Sequence, residues 1–561
     1  MKYVIYIIRW ILRSLANVVR RLDRAPDYVT FTLEGPLSEI APPRGSWLQR
    51  MVTRKPRTLR ELQRELRHVA GDRRVRGVVL RFYGVRGPTA QLQSLRDLIQ
   101  EVRDAGKRVV VWSHAYDMAS YYVATAADDV LLQHGGSVSA FGLETSYLFL
   151  ADALERVGLK GDFVQITPYK TAPDMLTRTS MSDEAREMAN WLLDDLYEQH
   201  VEGIAAGRSL SVSDAKALID GCPYTSDGAR DAGAVDAVLS QETLPSHLGS
   251  EERPARLRPY RRAKRRLVRK APAWPGRAVA IVRLAGDIID GRSSVPPARP
   301  PFRVPLLLSE KAGDLTVADQ ARALARNRRV AAVVVHVDSG GGSATASESM
   351  AAALKTVAEK KPLIVSMGAV AASGGYYVAT PGASIVAQPG TITGSIGVLT
   401  GKVVTSGLFE KLRMQRETLS RGEHAGYYSG TRPFTDAERA SLRETIVAVY
   451  EQFLDRVAVS RSMSRDDVDA VGGGRVWTGR QALDRGLVDE LGGLDLALQR
   501  AKQAAGLSPR APAIEMRAPK HDLAPRGAAT AAALDTAFQS ILWFQPGRAL
   551  LLSSLVLWDG P

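Results

Sequence analysis

Residues 361–398 read KPLIVSMGAVAASGGYYVATPGASIVAQPGTITGSIGV, and the fold and the chemistry both turn on this stretch. Its opening apolar run, Leu363–Met367, has the character of a buried strand. Small residues follow (Gly368, Ala369, Ala371, Ala372), and then Ser373 stands before Gly374 and Gly375. With so little side chain nearby, a second backbone can approach Ser373 closely, and the glycine N–H groups can be aimed at an oxyanion. Past Tyr376–Thr380 comes a second small-residue turn, Thr393-Gly394-Ser395-Ile396-Gly397. A serine on a tight strand-to-helix turn is a candidate nucleophile, but a lone A-S-G-G also serves as an ordinary close-packed turn. The rest of the chain bears on the choice.

The chain is a tandem repeat. From residue 28 it offers a strand (YVTFTLEG), a Pro-rich loop, a helix near residues 59–69 and a strand over residues 76–82. From residue 279 the order recurs: AIVRLAGDI, a Pro-rich loop over residues 295–304, a helix near residues 317–325 and the strand AAVVVHV. Subtracting 255 places Val333 on Val78, Tyr376–Thr380 on Tyr121–Thr125, Gln388 on Gln133 and Gly397 on Gly142, without a gap from about residue 72 to 143. A later echo, GRSLSVSDAKAL against SRSMSRDDVDAV, is offset by 253. Self-similarity on this scale, with strands alternating with helical patterns, predicts an α/β fold of β-α-β units and largely parallel sheets.

What the two copies keep and lose carries the functional argument. The second has Asp338-Ser339-Gly340-Gly341-Gly342-Ser343 after its strand, a turn able to offer free N–H groups. The first has Tyr83-Gly84-Val85-Arg86-Gly87 there. Ser373 falls on Met118 and Ser395 on Ala140. A purely structural role predicts that both copies keep these residues. A serine nucleophile also needs a base, yet no G-x-S-x-G elbow is present and no histidine lies in a catalytic context; His336 falls on Arg81 and reads as a packed or capping side chain. A lysine kept neutral by burial is the alternative. Lys170, in VQITPYKTA, follows an apolar strand pattern and precedes a helix around residues 183–200, and its counterpart in the second copy is near Ala425. The first half has a lysine that the second lacks, and the second a serine that the first lacks. A site shared between halves accounts for both.

Composition sets the surroundings. With 561 residues and 45% hydrophobic content, the chain is globular and of more than one domain. A single cysteine, Cys222, excludes an intrachain disulfide framework and any cysteine-based metal site. The net charge of +15 points to an anionic surface nearby. No zinc-finger or RNP signature accompanies it, which favours a membrane over nucleic acid. Residues 3–19 are mostly apolar but interrupted by Arg9 and Arg13; with Lys2 and Arg20 these form a narrow basic stripe, the pattern of an amphipathic helix in a membrane interface. An ordinary helix packed on its own domain is the alternative. Between the halves, residues 247–270 are dense in arginine and lysine and read either as a phosphate- or lipid-binding patch or as a solvated linker. The apolar tail, residues 538–558, either docks on a membrane or partner or closes the fold.

The segments YKTAPDMLTRTSMSDEAREMANWLLDDLY, DSGGGSATASE, SMGAVAASGGYYVATP, TGSIGV and RVWTGRQALDRGLVDELGG resemble the signal peptide peptidase A family of serine–lysine peptidases in its long, tandem-domain form, over about residues 28–507. The resemblance implies tandem ClpP/crotonase-like domains built of repeated β-β-α units. Together with the residue patterns above, it divides the chain into an amphipathic, membrane-associated helix (1–27), a domain supplying the lysine (28–245), a basic linker (246–277), a domain supplying the serine (278–507) and an apolar tail (508–561). It makes Ser373 the nucleophile, Lys170 the general base and Ser395 the residue that orients the lysine, with the N–H groups of Gly341 and Gly374 as oxyanion hole. It implies no cofactor or metal, and with no nucleic-acid signature in the chain no nucleic-acid partner is expected. It further implies apolar peptide substrates such as released signal peptides, a homotetramer, and a place at the bacterial inner membrane facing the periplasm. Two departures stand out. The family's N-S-P-G-G is here Asp338-Ser339-Gly340-Gly341-Gly342, and glycine in place of proline loosens the turn. The family's N-terminal transmembrane segment is here interfacial in pattern. Two other readings are a decayed scaffold of the same fold and a crotonase-type acyl-CoA enzyme. The second calls for paired carboxylates rather than a turn serine with a distant lysine.

Overall fold

The computed structural model describes residues 2–41, 57–270, 276–295, 309–516 and 550–552. Nearly all of the Pro-rich loop expected at 295–304, and of the tail at 538–558, therefore lies outside the described residues.

The valine-rich runs become the centres of two sheets. In the first half, Tyr28–Pro36, Gly77–Arg86, Arg108–Asp117 and Asp129–Ser139 lie side by side and parallel, with Leu257–Pro259 on one edge and Tyr224–Thr225 on the other. In the second, Ala278–Ala285, Val330–Ser339 and Leu363–Ala372 are parallel neighbours, continued by Ile392–Gly394 and Val476–Thr478. Side chains on both faces of the central strands are buried: Val78, Val79 and Leu80 in one half, Val333, Val334 and Val335 in the other. That is the physical reason these strands read as continuous apolar runs, since a parallel sheet is covered on both faces. Helices supply the cover. Leu59–Ala70 starts at a Thr58 cap and turns Leu59, Leu62, Leu66 and Val69 inward at helical spacing, and Asp314–Arg326 takes the matching place in the second half.

The repeat extends to the long helices. Asp183–Arg208 and Asp436–Arg461 are each 26 residues long, are capped by Ser182 and Thr435, and end on Ser209 and Ser462, both left-handed with φ 55°. Their starts keep the 253-residue offset of the sequence echo.

A third sheet crosses between the halves. Its order is Lys311–Gly313, Asp287–Ile289, Gly341–Ser343, Leu550–Leu552, Leu399–Val404, Lys160–Gln165. The last pair is antiparallel in continuous register from Leu399↔Gln165 to Val404↔Lys160, so a first-half strand is built into the second half. Val164 and Ile166 accordingly join the second half's core. The halves are further knit by Gln93, which accepts from Gly390 N at 2.7 Å, and by Gln388, which donates to Asp97 at 2.6 Å.

The basic amphipathic segment is a helix, Lys2–Leu22. Its polar stripe faces the protein: Arg13, Asn17 and Arg20 donate to the carbonyls of Lys270, Arg269 and Arg265. Ile7, Ile8, Ile11, Leu12, Leu15, Val18 and Val19 are exposed. Among the described residues, no helix is long and apolar enough to cross a membrane.

Candidate active site

The site forms where three chain segments meet. The strand Leu363–Ala372 delivers Ser373, which sits at φ 54°, ψ −116° before the helix Gly374–Ala379. A non-glycine residue at positive φ carries backbone strain, and here the surroundings impose it. Ser373 N donates to Gly394 O at 2.8 Å, and Tyr377 N donates to Ser373 O at 2.9 Å. The small residues around it are required by contact. A Cβ on Gly375 would fall 2.5 Å from Ser339 O, and one on Gly374 would fall 2.6 Å from Ser347 Oγ and 3.2 Å from Gly341 Cα. The glycine-rich turn and the serine turn are thus packed backbone to backbone.

The second segment is Ile392–Gly394, paired to Leu363–Ala372 through Ala372↔Gly394, so that Ser395 leaves the sheet beside Ser373. Ser395 is also at positive φ, 52°, and its N–H donates to Arg475 O at 2.6 Å. The third segment arrives from the other half. After the strand Lys160–Gln165, Ile166 N donates to Val398 O at 3.0 Å, Thr167 bonds Gly473 O, and Lys170 is carried in behind Ser373.

Lys170 Nζ lies 2.8 Å from Ser373 Oγ, 2.8 Å from Ser395 O and 3.0 Å from Ser395 Oγ. Lys170, Ser373 and Ser395 are each no more than 1% exposed. Burial drives the Lys170 ammonium well below its ordinary range, and no carboxylate opposes that effect. Lys170 is therefore in contact with both serines singled out from the sequence, within one chain.

The expected oxyanion donors divide. Gly374 opens its helix, so its N–H precedes the first intrahelical acceptor. Gly341 N donates instead to Ser339 Oγ at 3.1 Å, and that hydroxyl donates to Gly286 O at 2.6 Å. The hydroxyl anchors a turn that has no proline to stiffen it.

His336 is buried away from the site, with Nδ1 3.3 Å from Ser366 Oγ, and burial pushes its pKa down to about 3. The packed reading of that histidine holds. Among the described residues no group of three His, Cys, Asp or Glu side chains is arranged to hold a metal ion.

Two features were missed in the sequence. The run Gly472-Gly473-Gly474 is the floor under the lysine: a Cβ on Gly474 (φ +92°) would fall 2.7 Å from Lys170 N, while one on Gly397 would fall 3.3 Å from Lys170 Cδ. Three consecutive glycines were the available signal. The helix Asp183–Arg208 clamps the junction, with Trp191 stacked on Trp477 at 4.8 Å between centroids and donating to Val476 O at 2.8 Å.

The profile of peptidase family S49 matches residues 101–251 and 355–508, one segment in each half. The chain is 31% identical over 462 residues to "Serine protease SPPA, chloroplastic" of Arabidopsis thaliana, covering 80% of this chain and 66% of that protein. It is 30% identical to "Protease 4" of Salmonella typhi, covering 80% and 72%, and 30% identical to "Protease 4" of Haemophilus influenzae, covering 77% and 70%. The tandem α/β architecture is that expected of ClpP-like domains, and the chain belongs to peptidase family S49.

Proposed function

We propose that this chain is a serine endopeptidase working through a Ser373–Lys170 dyad and an acyl-enzyme. One observation carries the reading: a buried lysine amine, with no carboxylate to hold its charge, lies within hydrogen-bond distance of a strained serine. A neutral amine has two N–H bonds and one lone pair. The N–H groups are matched by Ser395 O and Ser395 Oγ, which leaves the lone pair facing the Ser373 hydroxyl.

Chemistry follows from that inventory. Ser373 Oγ attacks the substrate carbonyl carbon as its proton passes to Nζ. The tetrahedral oxyanion is held by Gly374 N–H and by Gly341 N–H, drawn off Ser339 Oγ because a charged oxygen is the stronger acceptor. The C–N bond breaks, the ammonium of Lys170 returns its proton to the leaving amine, and an ester remains on Ser373. Water then attacks the ester with Nζ as base, and the acid product leaves. Ser395 orients the amine throughout. No cofactor enters the scheme. The test is hydrolysis of an apolar peptide by the wild type, Ser373→Ala and Lys170→Ala, each shown to be folded. Activity only in the wild type supports the dyad, and near-normal turnover by Lys170→Ala overturns it.

Substrates in this reading are apolar peptides, released signal peptides among them, cleaved at the bacterial inner membrane on its periplasmic side. The N-terminal helix favours membrane contact, since it docks by its arginine stripe and turns its apolar side outward.

A homo-oligomer is part of the same reading. Lys160–Gln165 pairs with Leu399–Val404 inside the chain. Their repeat equivalents, residues 415–420 and 144–149, form no strand among the described residues. Leu419 is 93% exposed and Leu148 69%. Pairing 415–420 of one copy with 144–149 of the next repeats the internal contact head to tail, and a ring such as a tetramer closes it.

A further inference from the structure

Residues 472–475 reach both the turn that carries Lys170 and the turn that carries Ser395. The peptide unit between Gly473 and Gly474 is bonded at each end to a different part of the site. Its carbonyl, on Gly473, accepts from Thr167 Oγ1, three residues before Lys170. Its N–H, on Gly474, donates to Ile396 O at 2.7 Å, one residue past Ser395. Thr167 O in turn accepts from Lys170 N–H at 3.2 Å, and Arg475 O accepts from Ser395 N–H at 2.6 Å. The Arg475 guanidinium lies over the ring of Tyr169, 4.1 Å from its centroid. One short run of backbone therefore spans the base and the residue that contacts it.

Glycine has the widest choice of backbone angles and no side chain to anchor it. Gly473 and Gly474 are held at φ 61° and 92°, so the constraint comes from outside. Tyr450 supplies it from the helix Asp436–Arg461, where its side chain is buried. Its hydroxyl accepts from Gly473 N–H at 2.9 Å and donates to Asp469 Oδ1 on the helix Arg465–Val471. Burial, and after it the bond to Asp469, pushes the phenol above its ordinary pKa. It therefore stays a neutral hydroxyl, accepting on one side and donating on the other.

The two copies differ here as they do at the serines. At the offset of 253, Tyr450 falls on Tyr197, but Asp469 falls on Lys216, and Gly472 and Gly473 fall on Ile219 and Asp220. The copy without counterparts of Ser373 and Ser395 keeps the tyrosine and lacks its carboxylate and the two glycines. A device that only joined helix to loop would be expected in both copies. This one accompanies the serines.

We propose that Tyr450 and Thr167 are positioning residues, which clamp the peptide between Gly473 and Gly474 and through it set Lys170 Nζ against Ser395 and Ser373. The proposal rests on the peptidase reading for the chemistry it serves, while the placement of the amine stands on the contacts alone. Nζ itself bonds Ser373 and Ser395, so both positioning residues act through backbone. Released from the clamp, the turn carrying Lys170 shifts against Ser395 and water reaches the amine. A wetter amine holds its proton more readily and is a poorer base at neutral pH.

The test uses the full chain with Thr167→Val, Thr167→Ser and Tyr450→Phe, each shown to be folded, and the same chains carrying Lys170→Met. In apolar-peptide hydrolysis, Thr167→Val and Tyr450→Phe are expected to lower kcat roughly 10–100-fold and to leave KM within about twofold of the parent. The rising limb of kcat/KM should move to higher pH, and Thr167→Ser, which keeps the hydroxyl, should restore both. A second readout needs no activity. The stability of each chain relative to its Lys170→Met partner rises with pH from the folded pKa of the lysine up to 10.5, as read from urea midpoints. In Thr167→Val and Tyr450→Phe that rise should begin at higher pH. A merely structural anchor lowers the urea midpoint but leaves kcat, the pH limb and this onset at the parent's values, and that result overturns the proposal. If the parent cleaves no peptide, the peptidase reading falls and the stability difference decides alone: a displaced onset supports the positioning role, and an unmoved one overturns it.

Discussion

Lys170 and Ser373 are 203 positions apart in the chain and 2.8 Å apart in space, one supplied by each copy of the repeat. A duplicated domain that kept both residues in both copies would carry two equivalent sites. In the dyad proposed for this chain one site is divided between two copies, which would make the junction between halves part of the chemistry. Substitution of the serine isolates its contribution. Ser373→Ala removes one hydroxyl at a residue whose backbone bonds remain, and the chain is expected to keep its fold. Peptide hydrolysis should fall by a factor on the order of 10⁵–10⁶, and adding Lys170→Met should make it little worse, because the two act as a unit. A double variant far below both single variants would show that they act separately.

The lysine has a pH signature of its own. Burial lowers its folded pKa well below 10.5, so kcat/KM should rise as pH rises through that lowered value and then level off. Stability should move the same way. Between the folded pKa and 10.5 the unfolded chain holds a proton that the folded chain has released, so stability increases with pH across that window. Lys170→Met should abolish the activity, flatten this part of the stability curve and raise the melting temperature at neutral pH. Calorimetry from pH 6 to 10 on both chains checks the sign.

Much of this was legible in the sequence because the repeat exposed what each copy lacked. The strands over Val333–Val335 and Val78–Leu80 announced themselves as apolar runs, and Ser373, Ser395 and Lys170 stood out by their absence from the opposite copy. Contacts made by backbone left no such trace. Nothing in the pattern of residues 160–165 shows that they pair with 399–404, since both read simply as strands or loops. Gly474 matters through the 2.7 Å approach of a would-be Cβ to Lys170 N, a distance between segments about 300 positions apart. The engagement of Gly341 N–H by Ser339 was equally invisible, because it depends on where a turn points rather than on which residues compose it.

Ser395 offers a finer test. Its hydroxyl is one of three oxygens around Nζ, and its carbonyl remains after substitution by alanine. A lost acceptor disfavours the ammonium more than the amine, so Ser395→Ala should move the rising limb of the pH profile to lower pH. One amine N–H is left without its partner, at a cost of about 1–3 kcal/mol, and kcat should fall roughly 10–100-fold. Pre-steady-state acylation measured across pH separates the two effects. An unchanged profile would remove Ser395 from its positioning role.

Assembly is tested on the surface equivalent of the internal strand pair. Leu419→Asp places a charge in residues 415–420, which are exposed throughout and make no strand in the single chain. The variant should sediment as a smaller species than the parent while keeping its helical content and its in-chain Lys170–Ser373 contact. An identical sedimentation profile for the two chains argues against this edge as the interface.

Glu39 sits where the halves meet. Its Oε1 accepts from Ser94 Oγ at 2.6 Å, and its Oε2 lies 3.8 Å from His336 Nε2. Burial first, with the nearby Asp338 and Asp97 adding to it, raises the carboxyl from 4.5 to about 7. His336, held down at about 3, supplies no positive charge at neutral pH. Between pH 4.5 and about 7 the folded chain therefore keeps a Glu39 proton that the unfolded chain has lost, a contribution to stability that slopes downward as pH rises through this interval and levels off above it; His336 and His200, pushed down by burial to about 3 and about 4, slope the opposite way up to 6.5, so the Glu39 part is read as the difference between the parent and the Glu39→Gln chain. Glu39→Gln copies the protonated form. It should remove that slope and leave the chain more stable than the parent at pH 8, as read from urea midpoints at half-unit steps. Identical pH profiles for the two chains would take the effect away from Glu39 and leave Asp97 and Asp338, both of which burial also raises, as its sources.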